Sequence, residues 1–240
     1  MKFSLVIPAY NEEQYIGACL DSVFQNAPGR FAEIIVVDNG STDRTVDIAR
    51  QYPGVRVIFE EAKGVTFTRQ RGLNEASGPL VAFIDADSRL PAEWMDIAQQ
   101  TFAADANVVG LSGPYRYYDG SRLDRLLLDA TGWLLCPISY WLFGHMVIGG
   151  NFVARKEALE AIQGFDRLDR LYGEDSNVGR RLCQRGKVAF RTDFFALTSG
   201  RRFYQGGIFK EVAKYSLNYL WVVLFHRSFT TSYDDVRGQY

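Results

Sequence analysis

Four short apolar runs separated by helix-like stretches limit what this chain can fold into more than any other feature. The runs are 3–7, 33–37, 55–59 and 80–84. They are β-rich and have the length expected of strands covered on both faces. Between them, 12–25, 42–51 and 66–76 read as helices, with Asn11 and Ser41 as cap candidates and Ser77-Gly78-Pro79 closing the third. Repeated strand-helix-strand units predict right-handed crossovers and an α/β fold on a mostly parallel sheet. Ligands of such sheets sit at the carboxyl ends of the strands. Three polar segments fall there: Pro8-Ala9-Tyr10-Asn11-Glu12, Asp38-Asn39-Gly40-Ser41-Thr42-Asp43 and Asp85-Ala86-Asp87.

Beyond them, Pro91-Ala92-Glu93 opens another helix, with proline suited to a first turn. Segments 108–111 and 148–153 read as strands, and 154–162 and 176–185 as helices. No repeat or linker divides the chain. At 240 residues and 47% hydrophobic content it can bury a large single core. Its net charge of -1 supplies no field for nucleic acid, so a phosphate ligand must be met by local chemistry. Cys19, Cys136 and Cys183 are too far apart for a zinc site and read as reduced, mostly buried thiols of a cytosolic protein. Met1-Lys2-Phe3 runs directly into the first strand, so no signal peptide is expected.

The pair Asp85 and Asp87 is the sharpest local signal. Carboxylates at alternate positions beyond a strand can face one cleft, and Mg²⁺ or Mn²⁺ takes such oxygen ligands. The plainer alternative is a turn or helix cap, which Asp favours on its own. Asp38, beyond 34–37, can accept from a ribose or base edge, or simply close its turn. Arg69 falls one turn into a helix, where an exposed arginine is usually solvated. Gly149 and Gly150 allow backbone to approach a ligand closely. Glu174-Asp175 begins a helix, where acids suit the dipole.

Taken together, Ile7-Pro8-Ala9-Tyr10-Asn11-Glu12-Glu13, Val37-Asp38-Asn39-Gly40-Ser41-Thr42-Asp43, Gly64 to Gly72 and Phe83-Ile84-Asp85-Ala86-Asp87 resemble the inverting family 2 glycosyltransferases in order and spacing. Gly149-Gly150-Asn151-Phe152, Gly164-Phe165-Asp166 and Gly173-Glu174-Asp175 continue the likeness, which covers 2–185. The resemblance implies a GT-A fold, a Rossmann-like, mostly parallel sheet with flanking helices and a fused acceptor-binding half. It implies a catalytic domain over 1–190, divided into a nucleotide-sugar half (1–112) and an acceptor half (113–190), with 191–240 as an aromatic-rich extension. It also implies that Pro8, Ala9, Tyr10, Glu12, Asp38, Arg69, Asp85, Ala86 and Asp87 bind the donor. Asp85 and Asp87 hold Mg²⁺ or Mn²⁺, and Gly149, Gly150, Asn151 and Glu174 meet the acceptor. By the same resemblance Asp175 is the candidate general base. Asn39 departs from the second Asp common in relatives, and Thr68 and Gln70 replace Ala and Asn beside Arg69. The only histidines are His145 and His226, and neither stands at the point after the Glu-Asp motif where some GT-A enzymes offer a metal ligand. Arg201 and Arg202 stand there instead and are expected to meet a phosphate.

The expected reaction is one inverting, non-processive transfer from a nucleoside diphosphate sugar, UDP favoured by analogy, to an acceptor hydroxyl. A sugar-phosphate nucleotidyltransferase is disfavoured because the loop after the first strand has no basic residue. A non-catalytic sugar-nucleotide binding module is disfavoured because Asp85, Asp87 and Asp175 are all retained. Segment 130–148 has no Asp, Glu, Lys or Arg and approaches the ~20 residues of a membrane span. Gly132, Pro137 and Gly144 interrupt it, and a span would part Gly149 from Asp85, so it is read as core or as an apolar surface. With 208–225, rich in aromatics and carrying Lys210 and Lys214, it predicts a cytoplasmic enzyme held peripherally on the inner membrane face, working on a sugar or lipid-linked acceptor.

Overall fold

The computed structural model describes residues 1–165 and 173–225. His226 and Asp166 lie outside these residues, as does the rest of the extension from 226. Four parallel strands form first: β1 (Phe3–Ala9), β2 (Phe31–Asp38), β3 (Val55–Phe59) and β4 (Leu80–Ile84). They alternate with α1 (Ile16–Asn26), α2 (Thr45–Ala49) and α3 (Val65–Glu75). There follow β5 (Ser88–Arg89), α4 (Trp94–Ala104), β6 (Val108–Ser112), β7 (Tyr115–Tyr117) and α5 (Arg122–Phe143). The remainder is β8 (Asn151–Arg155), α6 (Lys156–Ala161), α7 (Glu174–Leu182), β9 (Lys187–Phe190), β10 (Ala196–Thr198), α8 (Arg201–Gly206) and α9 (Ile208–Phe225).

The main sheet has seven strands in the order β3-β2-β1-β4-β8-β6-β9. It is parallel except for β8, which runs antiparallel to both β4 and β6. Period-two alternation explains its two covered faces. Leu5 and Ile7 of β1 pack with Ile16, Leu20 and Trp94 on one side, while Val6 packs with Leu73, Phe83, Leu159 and Val178 on the other. Truncating a buried Leu or Ile in either layer to Ala costs ~2–5 kcal/mol.

Several boundaries differ from the sequence expectation. Helix α1 starts four residues late, at Ile16, because Asn11 and Glu12 are occupied elsewhere. Asn11, with φ 52°, accepts from the Thr42 N–H at 2.9 Å and donates its own N–H to Ser41 Oγ at 2.9 Å. Glu12 N–H donates to Thr45 Oγ1 at 2.7 Å. Asn11 and Ser41 therefore cap nothing; they knit the loop beyond β1 to the loop beyond β2. Helix α2 is correspondingly short, and α4 begins only at Trp94, after a turn in which Trp94 N–H reaches the Pro91 carbonyl. Segment 148–153 becomes strand only from Asn151, because Ile148 to Gly150 form a turn closed by Asn151 N–H on the Ile148 carbonyl at 2.8 Å.

A second, three-stranded sheet, β5-β10-β7, stands beyond the carboxyl end of β4. Its strands are two or three residues long and come from three distant parts of the chain. Of the three cysteines, all free, only Cys19 is buried; Cys183 is exposed.

Candidate active site

Asp85 and Asp87 leave β4 where the two sheets meet. Both oxygens of Asp85 are held firmly: Arg69 Nη2 donates to Oδ1 at 2.8 Å and the Tyr115 hydroxyl to Oδ2 at 2.9 Å. Asp87 is held more loosely, by Arg201 Nη2 at 3.1 Å on Oδ2 and Thr198 Oγ1 at 3.4 Å on Oδ1. The Tyr118 hydroxyl fixes its backbone, donating to the Asp87 carbonyl at 3.1 Å. Burial pushes the Asp87 carboxyl up, against the pull of Arg201.

Arg69 is buried, not the solvated helical arginine its position in α3 suggests. Its second fork, Nη1, donates to Glu174 Oε1 at 2.7 Å. One guanidinium thus ties the carboxylate beyond β4 to the start of α7. Burial works against its charge, but Asp85 and Glu174 outweigh that and keep it a cation. Burial and the neighbouring Asp175 push the Glu174 carboxyl up to about 7, with Arg69 pulling the other way.

Asp175 is part-exposed beside it. Its Oδ1 accepts from Ser176 N–H at 2.7 Å and its Oδ2 from Gly149 N–H at 3.3 Å. Burial raises its carboxyl above the usual range, opposed by Arg69 and these backbone donors. Gly149 and Gly150 are tight: a Cβ on Gly150 would stand 2.0 Å from Asp85 Oδ2, and one on Gly149 2.5 Å from Arg69 Nη1. Only glycine lets this turn pass between Asp85 and Asp175.

Other expected site residues fall as follows. Pro8 and Ala9 end β1 beside Val37 and Asp38 of β2. Asp38 accepts from Gly40 N–H at 3.1 Å and Ser41 N–H at 3.2 Å, closing its own turn. Lys63 Nζ lies 4.9 Å from the Tyr10 ring centre. Ala86 is buried between the two aspartates. Asn151 is turned into the core, fully buried, its amide spent on Trp94 Nε1 at 2.8 Å and on the Gly113 and Phe194 carbonyls. Its side chain therefore does not face the cleft and instead anchors the Gly149-Gly150 turn. Glu174 is likewise committed to Arg69. Arg202 Nη1 donates to the Tyr215 hydroxyl at 2.6 Å, and its charge also reaches Asp87.

Sequence reasoning missed Tyr115, Tyr118 and Thr198, all on or beside the small sheet. Gln70, one of the departures, has a structural reason: its Oε1 accepts from Phe165 N–H at 2.8 Å. Asn39 has another. Its Nδ2 donates to the Glu60 and Ala62 carbonyls at 2.9 and 2.8 Å, and its Oδ1 accepts from Gly64 N–H at 2.8 Å.

A family model described as glycosyl transferase family 2 matches residues 4–163. The chain belongs to that family. Among its relatives is the glycosyltransferase AglE of Haloferax volcanii, 35% identical over 124 residues, 49% of this chain and 41% of AglE. The chain spans about half the length or less of the first curated relatives it matches. Among solved structures, the mannosyltransferase PcManGT from Pyrobaculum calidifontis, in complex with GDP-Man and Mn²⁺, superposes with a TM-score of 0.67 at 20% identity, covering 90% of this chain and 62% of that one. S. aureus TarS 1-349 in complex with UDP-GlcNAc gives 0.65 at 21% identity, covering 84% and 59%. These likenesses establish the GT-A type of α/β fold for this family 2 chain.

The donor set can be tested against a divalent ion directly. Mg²⁺ and Mn²⁺ need oxygen ligands and commonly take only one or two carboxylates, with water and phosphate completing the shell. Asp87, with two long contacts, fits that role better than Asp85, whose oxygens are both tightly bound. Among the described residues no three acidic or imidazole groups converge on one point.

Proposed function

We propose that this family 2 chain is an inverting, non-processive glycosyltransferase that moves one sugar from a nucleoside diphosphate sugar to an acceptor hydroxyl. The observation that carries the reading is Arg69, which couples Asp85 to Glu174 and so sets the part-exposed Asp175 beside the donor carboxylates. The raised carboxyl of Asp175 makes it a better proton acceptor than an ordinary aspartate near neutral pH. In this reading Asp175 takes the acceptor proton as the hydroxyl attacks the anomeric carbon from the face opposite the leaving diphosphate. The sugar carbon develops oxocarbenium character, as at other glycosyl centres. Mg²⁺ or Mn²⁺, held by Asp87 with Asp85 beside it, would act as a Lewis acid on the departing phosphate oxygens. The solved relatives bound to UDP-GlcNAc and to GDP-Man with Mn²⁺ support a nucleotide-sugar donor. UDP is the carrier we favour.

The acceptor we propose is lipid-linked, met from the cytoplasmic face of a membrane. Helix α5 is long and apolar enough by length and composition to cross a bilayer, yet only Leu128 of its 22 residues is buried. Leu134, Leu135, Ile138, Trp141 and Leu142 are exposed, Trp141 by 81%. Helix α9 is inverted in the same sense: Glu211, Asn218 and Val222 face inward while Phe209, Leu217, Leu220 and Leu224 face out. Both helices border Asp175, whose charge reaches the Cys136 thiol of α5 and the Tyr219 hydroxyl of α9. A helix lying in the headgroup plane presents such a face. We therefore read both as interfacial and neither as a span.

Nucleoside diphosphate release from a panel of sugar nucleotides, with Mn²⁺ and without acceptor, tests the transferase reading. Slow hydrolysis of one UDP- or GDP-sugar is expected. Pyrophosphate release from a nucleoside triphosphate and a sugar phosphate would instead make the chain a nucleotidyltransferase, and nucleotide binding without turnover under any condition would make it a binding module.

A further inference from the structure

A single nitrogen marks where a cation is wanted in this site. Arg201 Nη2 reaches both Glu12 Oε1, at 2.5 Å, and Asp87 Oδ2, at 3.1 Å. The guanidinium lies over the Tyr15 ring, 4.4 Å from its centre. All three charged side chains are largely shielded from water, at 12%, 6% and 16% exposure for Arg201, Glu12 and Asp87. Arg69 cannot supply the missing charge, because both its forks are spent on Asp85 and Glu174. Without Arg201, Glu12 and Asp87 would lose the one nitrogen that both of them contact, leaving Asp87 to the charge of Arg202, whose guanidinium is engaged by Tyr215. Two oxygens converging on one point in a shielded pocket are what a hard divalent ion also seeks.

Arg201 is held through its guanidinium rather than through its helix: it is the first residue of α8, a six-residue helix with no fully buried residue, between Gly200 and Gly207. Guanidinium forks match phosphate oxygens at least as well as carboxylates.

We infer that Arg201 is the resident counter-ion of the donor-free site, competing with the divalent metal for Asp87 until a nucleoside diphosphate draws it away. Arg201 is thus a positioning residue that makes metal and nucleotide bind together. The inference rests on the metal-assisted transferase reading and adds an order to it. Metal alone meets a pocket already neutralised. Nucleotide alone meets an arginine held back by two carboxylates. Each relieves the obstacle to the other, and by linkage the gain must be the same in both directions.

The test is Mn²⁺ binding, followed by loss of the free-ion electron paramagnetic resonance signal, with and without UDP or GDP. Wild type is expected to bind Mn²⁺ weakly alone and about tenfold or more tightly with one of the nucleotides. Arg201→Gln should bind Mn²⁺ alone about tenfold or more tightly than wild type does and lose most of the nucleotide-dependent gain. Arg201→Lys, which keeps a charge near Asp87 but forms no planar fork, should fall between them. If Arg201→Gln unfolds, the intermediate response of Arg201→Lys and the wild-type cooperativity still decide the matter. Equal Mn²⁺ affinity in all three proteins, or wild-type binding of Mn²⁺ that is indifferent to both nucleotides, overturns the inference while leaving a metal site standing. Absence of Mn²⁺ binding in every protein, with either nucleotide, removes the metal reading itself and the inference with it.

Discussion

Arg69 and Glu174 are 105 residues apart in sequence and form a buried ion pair of 2.7 Å. The pair joins α3 to α7, and Asp85 shares the same guanidinium. Breaking a buried pair by removing one partner typically costs ~3–5 kcal/mol, because the remaining charge is stranded. Arg69→Met is expected to lose stability in that range in urea titrations. Glu174→Gln should lose less, since an amide oxygen still accepts from Arg69. Glu174 also sets a pH dependence. Its folded carboxyl titrates near about 7 against an ordinary 4.5, so the folded state holds a proton that the unfolded state has lost between those values. Its contribution to stability is complete below pH 4.5 and is lost as pH rises through 7. Glu174→Gln should flatten that part of the profile.

Asp175 is expected to dominate turnover rather than binding. Asp175→Asn should keep donor affinity, measured by calorimetry, and lose ~10²–10⁴ in rate. Equal losses in both would make Asp175 a structural cap of α7. The base works ionised, so kcat/KM should fall as pH drops through an apparent pKa above the ordinary aspartate value. That value belongs to the Glu174–Asp175 pair. Removing one of two adjacent acids in Glu174→Gln should move the acid limb to lower pH.

Metal dependence follows from the loose hold on Asp87. Chelation by EDTA should abolish transfer, with Mn²⁺ or Mg²⁺ restoring it. Asp87→Asn should do the same irreversibly while circular dichroism and melting temperature stay near wild type. Full activity in EDTA would contradict the assignment of Asp87.

Asn39 tests whether a departure from the family pattern is functional or structural. Its amide donates to two carbonyls and accepts from one N–H. A carboxylate there would face the Glu60 and Ala62 carbonyls with no proton to offer. Asn39→Asp should therefore destabilise by ~1–3 kcal/mol. An unchanged melting temperature would mean the loop around Ala62 re-forms at no cost.

What the sequence made legible was local and periodic. The strands at 55–59 and 80–84 coincide with β3 and β4, and the alternation of apolar runs with helices was enough for the parallel half of the sheet. The antiparallel β8 was not foreseeable as such, because a strand of five residues carries no direction in its sequence. Asp85 and Asp87 stand out because they follow the apolar run 80–84 directly, and Asp175 because the Gly-Glu-Asp segment continues the family pattern. Tyr115 and Thr198 do not, because strands of three residues have no period, and their pairing depends on contacts 80 or more residues apart in sequence. The burial of the Asn151 side chain was hidden for a related reason. A polar residue after two glycines reads as a ligand contact, while its partners Trp94 and Phe194 are visible only once the sheet has formed. Helix position alone leaves Arg69 a solvated arginine, because it does not reveal burial; only the family resemblance draws it toward the donor site.

The outward face of α5 gives the most direct test of where the protein works. Leu134, Ile138 and Trp141 recur at helical spacing and are 62%, 53% and 81% exposed. Substituting all three by Asp should leave melting unchanged, since none supports the core, and surface changes of this kind are usually small in effect. Membrane affinity should respond strongly, because an interfacial helix binds through its buried apolar area. Flotation with vesicles of phosphatidylcholine and phosphatidylglycerol should carry wild type to the top of the gradient and leave the triple variant at the bottom. Raising the phosphatidylglycerol fraction should strengthen wild-type binding through Arg122 and Lys210, both exposed at helix starts. Transfer to a soluble acceptor should be the same for both proteins, while transfer to a lipid-linked acceptor in vesicles should fall with the variant's loss of binding. Wild-type protein that stays unbound at every lipid composition, and that glycosylates only soluble acceptors, would mean the apolar face of α5 is covered by protein rather than lipid.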